Sequence, residues 1–222
     1  MENIPKKFFV PKKDVTKELM IEFNDWMAHG KTTHDLSITL LDEHVTVEKT
    51  VLDLGCGIGR ESEYFASKGI QVVGVDISKK NITEAWKNNV EYPDYATFIV
   101  DDISTMNLEK QFNIVILHDV LEHVFEDEQE KTLLNAINHT AKSGIIFIKC
   151  PTEEYRTAFC NQSILEGHYV NPGCFQILDE VVSLDMVKRV FKENNVELLF
   201  LGYRNFIGDV PAWFIIIGRR II

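Results

Sequence analysis

Between residues 50 and 150 the chain alternates two hydrophobic patterns. Short, nearly all-apolar runs at 50–54, 71–75, 97–100, 112–117 and 144–150 are separated by stretches whose apolar residues recur every three or four positions. The first pattern reads as strands buried on both faces, the second as amphipathic helices laid over them. Strand and helix in turn predict an α/β fold with a mostly parallel sheet. Helices are expected over 61–68, closed by Gly69, over 79–89 with Ser78 as N-cap, and over 127–142.

The flanks are less regular. Residues 1–15 read as an irregular lead-in whose lysines are solvated. Leu19, Met20, Phe23, Trp26 and Met27 then fall at helical spacing, which predicts a helix from Thr16 to near Gly30. Trp26 and Met27 read as core contacts, with a lid across a binding mouth as the functional alternative. Ile38, Leu40, Leu41 and Val45 suggest a second helix leading into the first strand. After Pro151 the rhythm breaks, and no clean period emerges before residue 180. A helix over 184–194 follows, with Ser183 as N-cap and Val187, Val190 and Phe191 on its apolar face. Strands at 198–201 and 213–218 then form an antiparallel pair. The whole of 1–222 reads as one domain, with 1–45 as a helical N-terminal lid and 151–182 as an insertion.

Composition narrows the partners. A net charge of −11 over 222 residues argues against a nucleic-acid surface and for a small-molecule substrate. The cysteines at 56, 150, 160 and 174 form no CxxC pair and no metal-finger spacing. They suit a reduced, cytoplasmic setting, with Cys150 inert in its apolar strand. Residues 1–13 lack the apolar core of a signal peptide. No apolar run approaches the roughly 18 residues that cross a membrane.

The candidate chemistry gathers at strand ends. Residues 51–60 run Val-Leu-Asp-Leu-Gly-Cys-Gly-Ile-Gly-Arg: a buried strand, a glycine turn and the start of a helix. Glycines there allow positive φ and a close ligand approach. Three consecutive strands finish at acids: Asp53, Asp76, and Asp101 or Asp102. In an open α/β sheet, ligands bind outside the carboxyl ends of the strands where strand order reverses. Asp76, about 20 residues past the turn, stands where an acid accepts ribose hydroxyls. Asp102 could accept the exocyclic amine of an adenine. Single strand-end acids often cap turns; three in register after a glycine loop point to a nucleoside site. A dinucleotide fingerprint would need glycine where Arg60 stands, and no G-K-[ST] marks a P-loop. Asp53, an acid ahead of the turn, suggests an amino-acid ammonium, bound directly or through water.

At this point the chain resembles the class I S-adenosylmethionine-dependent methyltransferases, of the small-molecule group. The matching stretches are 51–60 for the first motif, 74–78 for the ribose motif and 100–103 for the adenine motif. Residues 112–124 and 143–150 match the following regions, and 183–185 with 196–200 match the tail. The resemblance implies a Rossmann-like seven-stranded sheet, helices on both faces, with the last strand inserted antiparallel. It implies S-adenosyl-L-methionine as cofactor, S-adenosyl-L-homocysteine as product and a small-molecule acceptor, with no nucleic acid or membrane involved. A homodimer is among the assemblies it leaves open. On the cofactor it places Asp53, Gly55, Cys56, Gly57, Arg60, Asp76, Ile77, Asp102, Ile103 and His118, and it calls for no metal.

Methyl transfer needs a nucleophile aligned with the donor methyl, and a hydroxyl acceptor also needs a base in reach. His118, His123 and His168 are the candidates. His118 and Asp119 directly follow a strand and face the expected cleft, although a histidine there is also often structural. Asp119, Glu122 and His123 would share one face of a helical turn. Some quinone-pathway relatives use a similar set for a divalent ion, and orientation by hydrogen bonds is the alternative. His168 and Tyr169 lie in the 151–182 insertion, on the expected acceptor side. His29, His34, His44 and His139 read as surface or helix residues. The expected activity is methylation of a hydroxyl on a sugar, glycan precursor or secondary metabolite. The alternatives are N-methylation of a small amine, an NAD-binding oxidoreductase, and a non-catalytic nucleotide-binding subunit.

Overall fold

The computed structural model describes residues 14–27, 36–155, 161–162, 169–171, 174–176, 180–207 and 209–222. Helix α1 (Lys17–Met27) is followed by a 3-10 segment (Leu36–His44), then strand β1 (Thr50–Leu54) and α2 (Arg60–Ala66). Next come β2 (Gln71–Asp76), α3 (Lys79–Asn88), β3 (Ala96–Val100) and β4 (Phe112–His118). A 3-10 turn (Leu121–His123) leads to α4 (Glu126–Asn138) and β5 (Thr140–Pro151). The chain continues through β6 (Asn161–Gln162), β7 (Tyr169–Asn171), β8 (Cys174–Gln176), α5 (Leu184–Glu193), β9 (Val196–Ile207) and β10 (Val210–Arg220).

Seven strands form the main sheet in the order β3-β2-β1-β4-β5-β10-β9. Strands β1 to β5 pair in parallel, while β10 is antiparallel to both neighbours, inserted between β5 and β9. The antiparallel last strand and the doubly wound sheet are as expected from sequence. Strand order runs outward from β1 to β3 and then returns to β4 on the other side of β1. The reversal makes the crevice above β1 and β4 the place where ligands bind in such sheets.

Alternation along each strand sends side chains to two separate cores. Leu52, Leu54, Val115, Leu117, Ile146 and Ile148 pack under α4 and α5. Val51, Ile114, Ile116, Ile145 and Phe147 face the other way, with Ile38, Leu41 and Phe65. At the carboxyl edge this second face carries polar side chains instead: Asp53, His118 and Lys149 continue its alternation. All three are buried.

Several boundaries differ from expectation. Leu36–His44 is a 3-10 segment, whose three-residue turn buries Ile38 and Leu41 and exposes Leu40. Helix α4 stops at Asn138, and β5 starts four residues early. His139 ends the helix: its Nδ1 lies 2.8 Å from Asn135 O, and its Nε2 accepts the Leu108 N–H at 3.2 Å. Its carbonyl takes the Phe112 N–H at 2.7 Å, which starts the pairing of β4 with β5. His139 is therefore buried, not a surface residue. The β5 register then shifts between Phe112 and Ile114, across Ser143 at φ 61°. The stretch without a period contains β6, β7 and β8, paired antiparallel as a small sheet of their own. Ser78 and Ser183 cap α3 and α5 as expected, accepting from Asn81 N and Met186 N. Among the described residues, no helix is long and apolar enough to cross a membrane.

Candidate active site

The glycine turn builds the floor of the site. Gly55 and Cys56 donate their N–H groups to Val75 O at 2.8 and 3.0 Å, and Gly57 N donates to Asp76 Oδ2 at 2.9 Å. The turn is thus stitched to the end of β2. Gly55 has φ 68°, and a Cβ there would sit 2.6 Å from Val120 Cγ2, so only glycine fits. Gly57, at φ 52°, has nothing within 4 Å of a would-be Cβ. That open space belongs to a cavity of about 640 Å³ running across the carboxyl ends of β1 to β4. Its size is that of a small-molecule or cofactor site.

Two acids mark one end of the cavity. Asp76 is buried; its Oδ1 accepts from Ser78 N at 2.8 Å and Asn81 Nδ2 at 3.2 Å. Burial pushes its carboxyl up, opposed by those hydrogen bonds and the one from Gly57. Asp102 Oδ1 accepts from Ser104 N and Oγ, and Oδ2 accepts from Lys17 Nζ at 2.8 Å. Partial burial raises the Asp102 carboxyl, but the Lys17 ammonium and the Ser104 hydrogen bonds outweigh it and hold it below its ordinary value. Lys17 also reaches Glu128 Oε1 at 2.8 Å. Farther along α1, Asp25 accepts from Ser78 Oγ and from Lys80 N. Helix α1 is therefore fastened at both ends, and Met20 and Asn24 form part of the cavity wall.

The other end is a row of ionisable groups. His118 Nε2 lies 3.0 Å from Ser37 Oγ, and the ring stacks on Phe147 with centroids 6.0 Å apart. Its Nδ1 lies 3.3 Å from Glu61 Oε1 and 4.0 Å from Asp119 Oδ2. Asp119 Oδ2 in turn accepts from the buried Lys149 Nζ at 2.5 Å, and that ammonium lies 4.9 Å from the Trp213 ring centre. Asp119 takes φ 55°, unusual without glycine, and its N–H donates to Lys149 O at 2.9 Å. A non-glycine residue held there costs roughly 1–3 kcal/mol, and such residues cluster at functional sites.

The cavity wall brings together Gly55, Cys56, Gly57, Arg60, Asp76, Ile77, Asp102, Ile103, His118 and His123. Asp53 stands behind that wall, 2 % exposed, receiving the Ser62 hydroxyl at 2.6 Å. Burial first, then the neighbouring Glu61 charge, push its carboxyl up to about 8. His168 lies outside the described residues. Asp119, Glu122 and His123 do not share a helical face: Asp119 precedes the 3-10 turn with a left-handed backbone, and that turn is only three residues long. Glu122 is buried away from the cavity, beside Cys150, whose thiol burial pushes far up, with the Glu122 carboxylate adding to the shift. Among the described residues, no group of three His, Cys, Asp or Glu side chains could hold a metal ion.

Sequence reasoning passed over Glu61, Lys17 and Lys149. Two signals were available. Arg60 and Glu61 are adjacent opposite charges directly after the glycine turn, and Lys149 is a lone charge inside the apolar run 144–150.

A doubly wound sheet with a nucleoside-sized cradle at its reversal point defines a nucleotide-cofactor fold. Known proteins make the class specific. Residues 52–148 match a family described as a methyltransferase domain. A ubiquinone biosynthesis O-methyltransferase of Chromobacterium violaceum is 34% identical over 138 residues, covering 59% of this chain and 58% of that protein. The chain spans about three-fifths of the length of the curated relatives it matches. The crystal structure of magnesium protoporphyrin IX methyltransferase from Synechocystis PCC 6803, with bound SAH, superimposes with TM-score 0.68 at 18% identity, over 90% of this chain and 94% of that one. A TehB-like SAM-dependent methyltransferase from Corynebacterium glutamicum gives TM-score 0.59 at 19% identity, over 84% and 89%. Residues 52–148 thus resemble a methyltransferase domain, and the chain shares the fold of S-adenosylmethionine-dependent methyltransferases.

The residues present fit that cofactor. Gly57 leaves open the space a side chain would fill, and Asp76 stands at the wall beside it. Glu61 adds a buried carboxylate oxygen, Oε1, that accepts no hydrogen bond.

Proposed function

We propose that the protein methylates a hydroxyl group of a small molecule, with a sugar, glycan precursor or secondary metabolite as the acceptor class. The bound cofactor supplies an electrophilic methyl on a sulfonium. The chain's own residues then have three tasks. Asp76 and Asp102 hold the nucleoside, and the Gly55–Gly57 turn lets it approach the backbone closely. Helix α1, tied down through Lys17 and Asp25, closes the cavity on that side and excludes water. At the far end, Asp119 sits where a hydroxyl would present its proton.

The observation that carries this reading is the arrangement of acids along one cavity. Nucleoside-type acids stand at one end, and Asp119, held by Lys149, stands at the other. A carboxylate in reach of the acceptor is what a hydroxyl needs and what a neutral amine can do without. The curated relatives named O-methyltransferases support the oxygen acceptor.

Release of S-adenosylhomocysteine is the test, followed over a panel of sugars, phenols and catechols beside a matched panel of amines. Turnover on hydroxyl compounds is expected. Turnover confined to the amines would replace O-methylation by N-methylation. Cofactor binding without turnover on any compound would favour a non-catalytic role.

A further inference from the structure

The zwitterionic tail of the cofactor needs an anion for its α-ammonium, and the acid ahead of the glycine turn is badly placed to serve. Asp53 is 2 % exposed, does not reach the cavity wall and already accepts the Ser62 hydroxyl. Glu61 has the opposite character. It is on the wall and 5 % exposed, and its Oε1 accepts no hydrogen bond. His118 Nδ1 lies 3.3 Å from that oxygen without a hydrogen bond to it. Buried carboxylate oxygens are rarely left this way, and an exception calls for a partner that arrives from outside. Arg60, whose Nε is 3.9 Å from Glu61 Oε2, is also on the wall, so the two residues present opposite charges side by side.

We propose that Glu61, rather than Asp53, receives the α-ammonium of the cofactor's amino-acid tail, with Arg60 facing the tail's carboxylate. The first two residues of α2 then read the zwitterion as a pair. Asp53 keeps a structural part: it locks Ser62, the next residue of the same helix, onto β1. His118, held by Ser37 and Phe147, becomes the back wall that sets the Glu61 side chain.

Binding measurements on the full chain test this without any acceptor. Titration calorimetry would compare S-adenosylhomocysteine with its deaminated analogue, for the unaltered protein, Glu61→Gln and Asp53→Asn. The unaltered protein should prefer the amine-bearing ligand by about 10- to 100-fold, the range of a charge-assisted hydrogen bond. Glu61→Gln should lose most of that preference while binding the deaminated ligand as before, and Asp53→Asn should keep it. Equal affinity of the unaltered protein for both ligands would overturn the proposal. So would a preference that survives in Glu61→Gln or vanishes only in Asp53→Asn. Should Glu61→Gln fail to fold, Glu61→Asp, which keeps the charge on a shorter arm, should show a reduced preference; an undiminished one counts against the assignment. The inference rests on the cofactor assignment, and failure there has its own signature: the unaltered protein binds neither ligand.

Discussion

At the scale of single residues, the site is governed by which acids are ionised. Asp53 has a carboxyl raised from 3.8 to about 8 by burial and by Glu61. The native state therefore keeps a proton that the unfolded chain gives up, so this group's contribution to stability falls as pH climbs from about 4 to about 8. Asp53→Asn removes the titration and keeps an oxygen for the Ser62 hydroxyl. Denaturant melts at several pH values should show the variant gaining on the unaltered protein through that window, by up to about 1.4 kcal/mol per pH unit, and levelling above it. A difference that does not change with pH would mean that Asp53 is ionised where it stands. The positions of Gly55, Gly57, Asp76 and Asp102 were legible in the sequence because each needs a particular backbone or strand end. That Asp53 lies behind the cavity wall was not. Asp53 lies on β1 and Glu61 on α2, and which of the two faces the cavity depends on how that helix sits over the strand, which a string of letters does not carry.

At the scale of elements, α1 is held by polar ties at both ends. Lys17 bonds Asp102 and Glu128 at one end, and Asp25 bonds Ser78 and Lys80 at the other, while Met20 and Phe23 supply the apolar contact. Replacing Lys17 by Met should speed amide hydrogen exchange in 17–27, since local opening depends on the ties an element makes. Because the Lys17 pairs are partly exposed, the global stability should move by less than about 1 kcal/mol. Unchanged exchange in that helix would show that Met20 and Phe23 hold it unaided. The sequence foretold α1, α3 and α5 well, since their apolar faces, and the serine caps of α3 and α5, are local features. It overran α4, because the end of that helix is decided by His139 reaching the Leu108 backbone, a partner 31 residues away. The three short strands after Pro151 escaped notice for a related reason: two or three residues are too few to show a period.

At the scale of the whole molecule, cofactor and fold should be thermodynamically linked. S-adenosylhomocysteine at about 100 times its dissociation constant should stabilise the native state by ~2.7 kcal/mol. For a chain of this size that raises the melting temperature by roughly 5–10 °C. NAD at the same concentration should leave it in place, since Arg60 occupies the position where a dinucleotide turn needs glycine; a shift with NAD alone would reverse the cofactor assignment. The sheet order was legible only through resemblance, since no local pattern tells β10 to pass inside β9. That insertion has a consequence for how the chain is made. Strand β5 ends at Pro151, yet its second neighbour does not begin until Val210. During synthesis, at ~5–20 residues per second, the Ile145–Ile148 edge must wait several seconds on the ribosome without its partner. An open apolar edge is a template for pairing with other chains. The lysine buried one residue past that run places a charge beside it, and a charge on a strand edge discourages such pairing until β10 arrives.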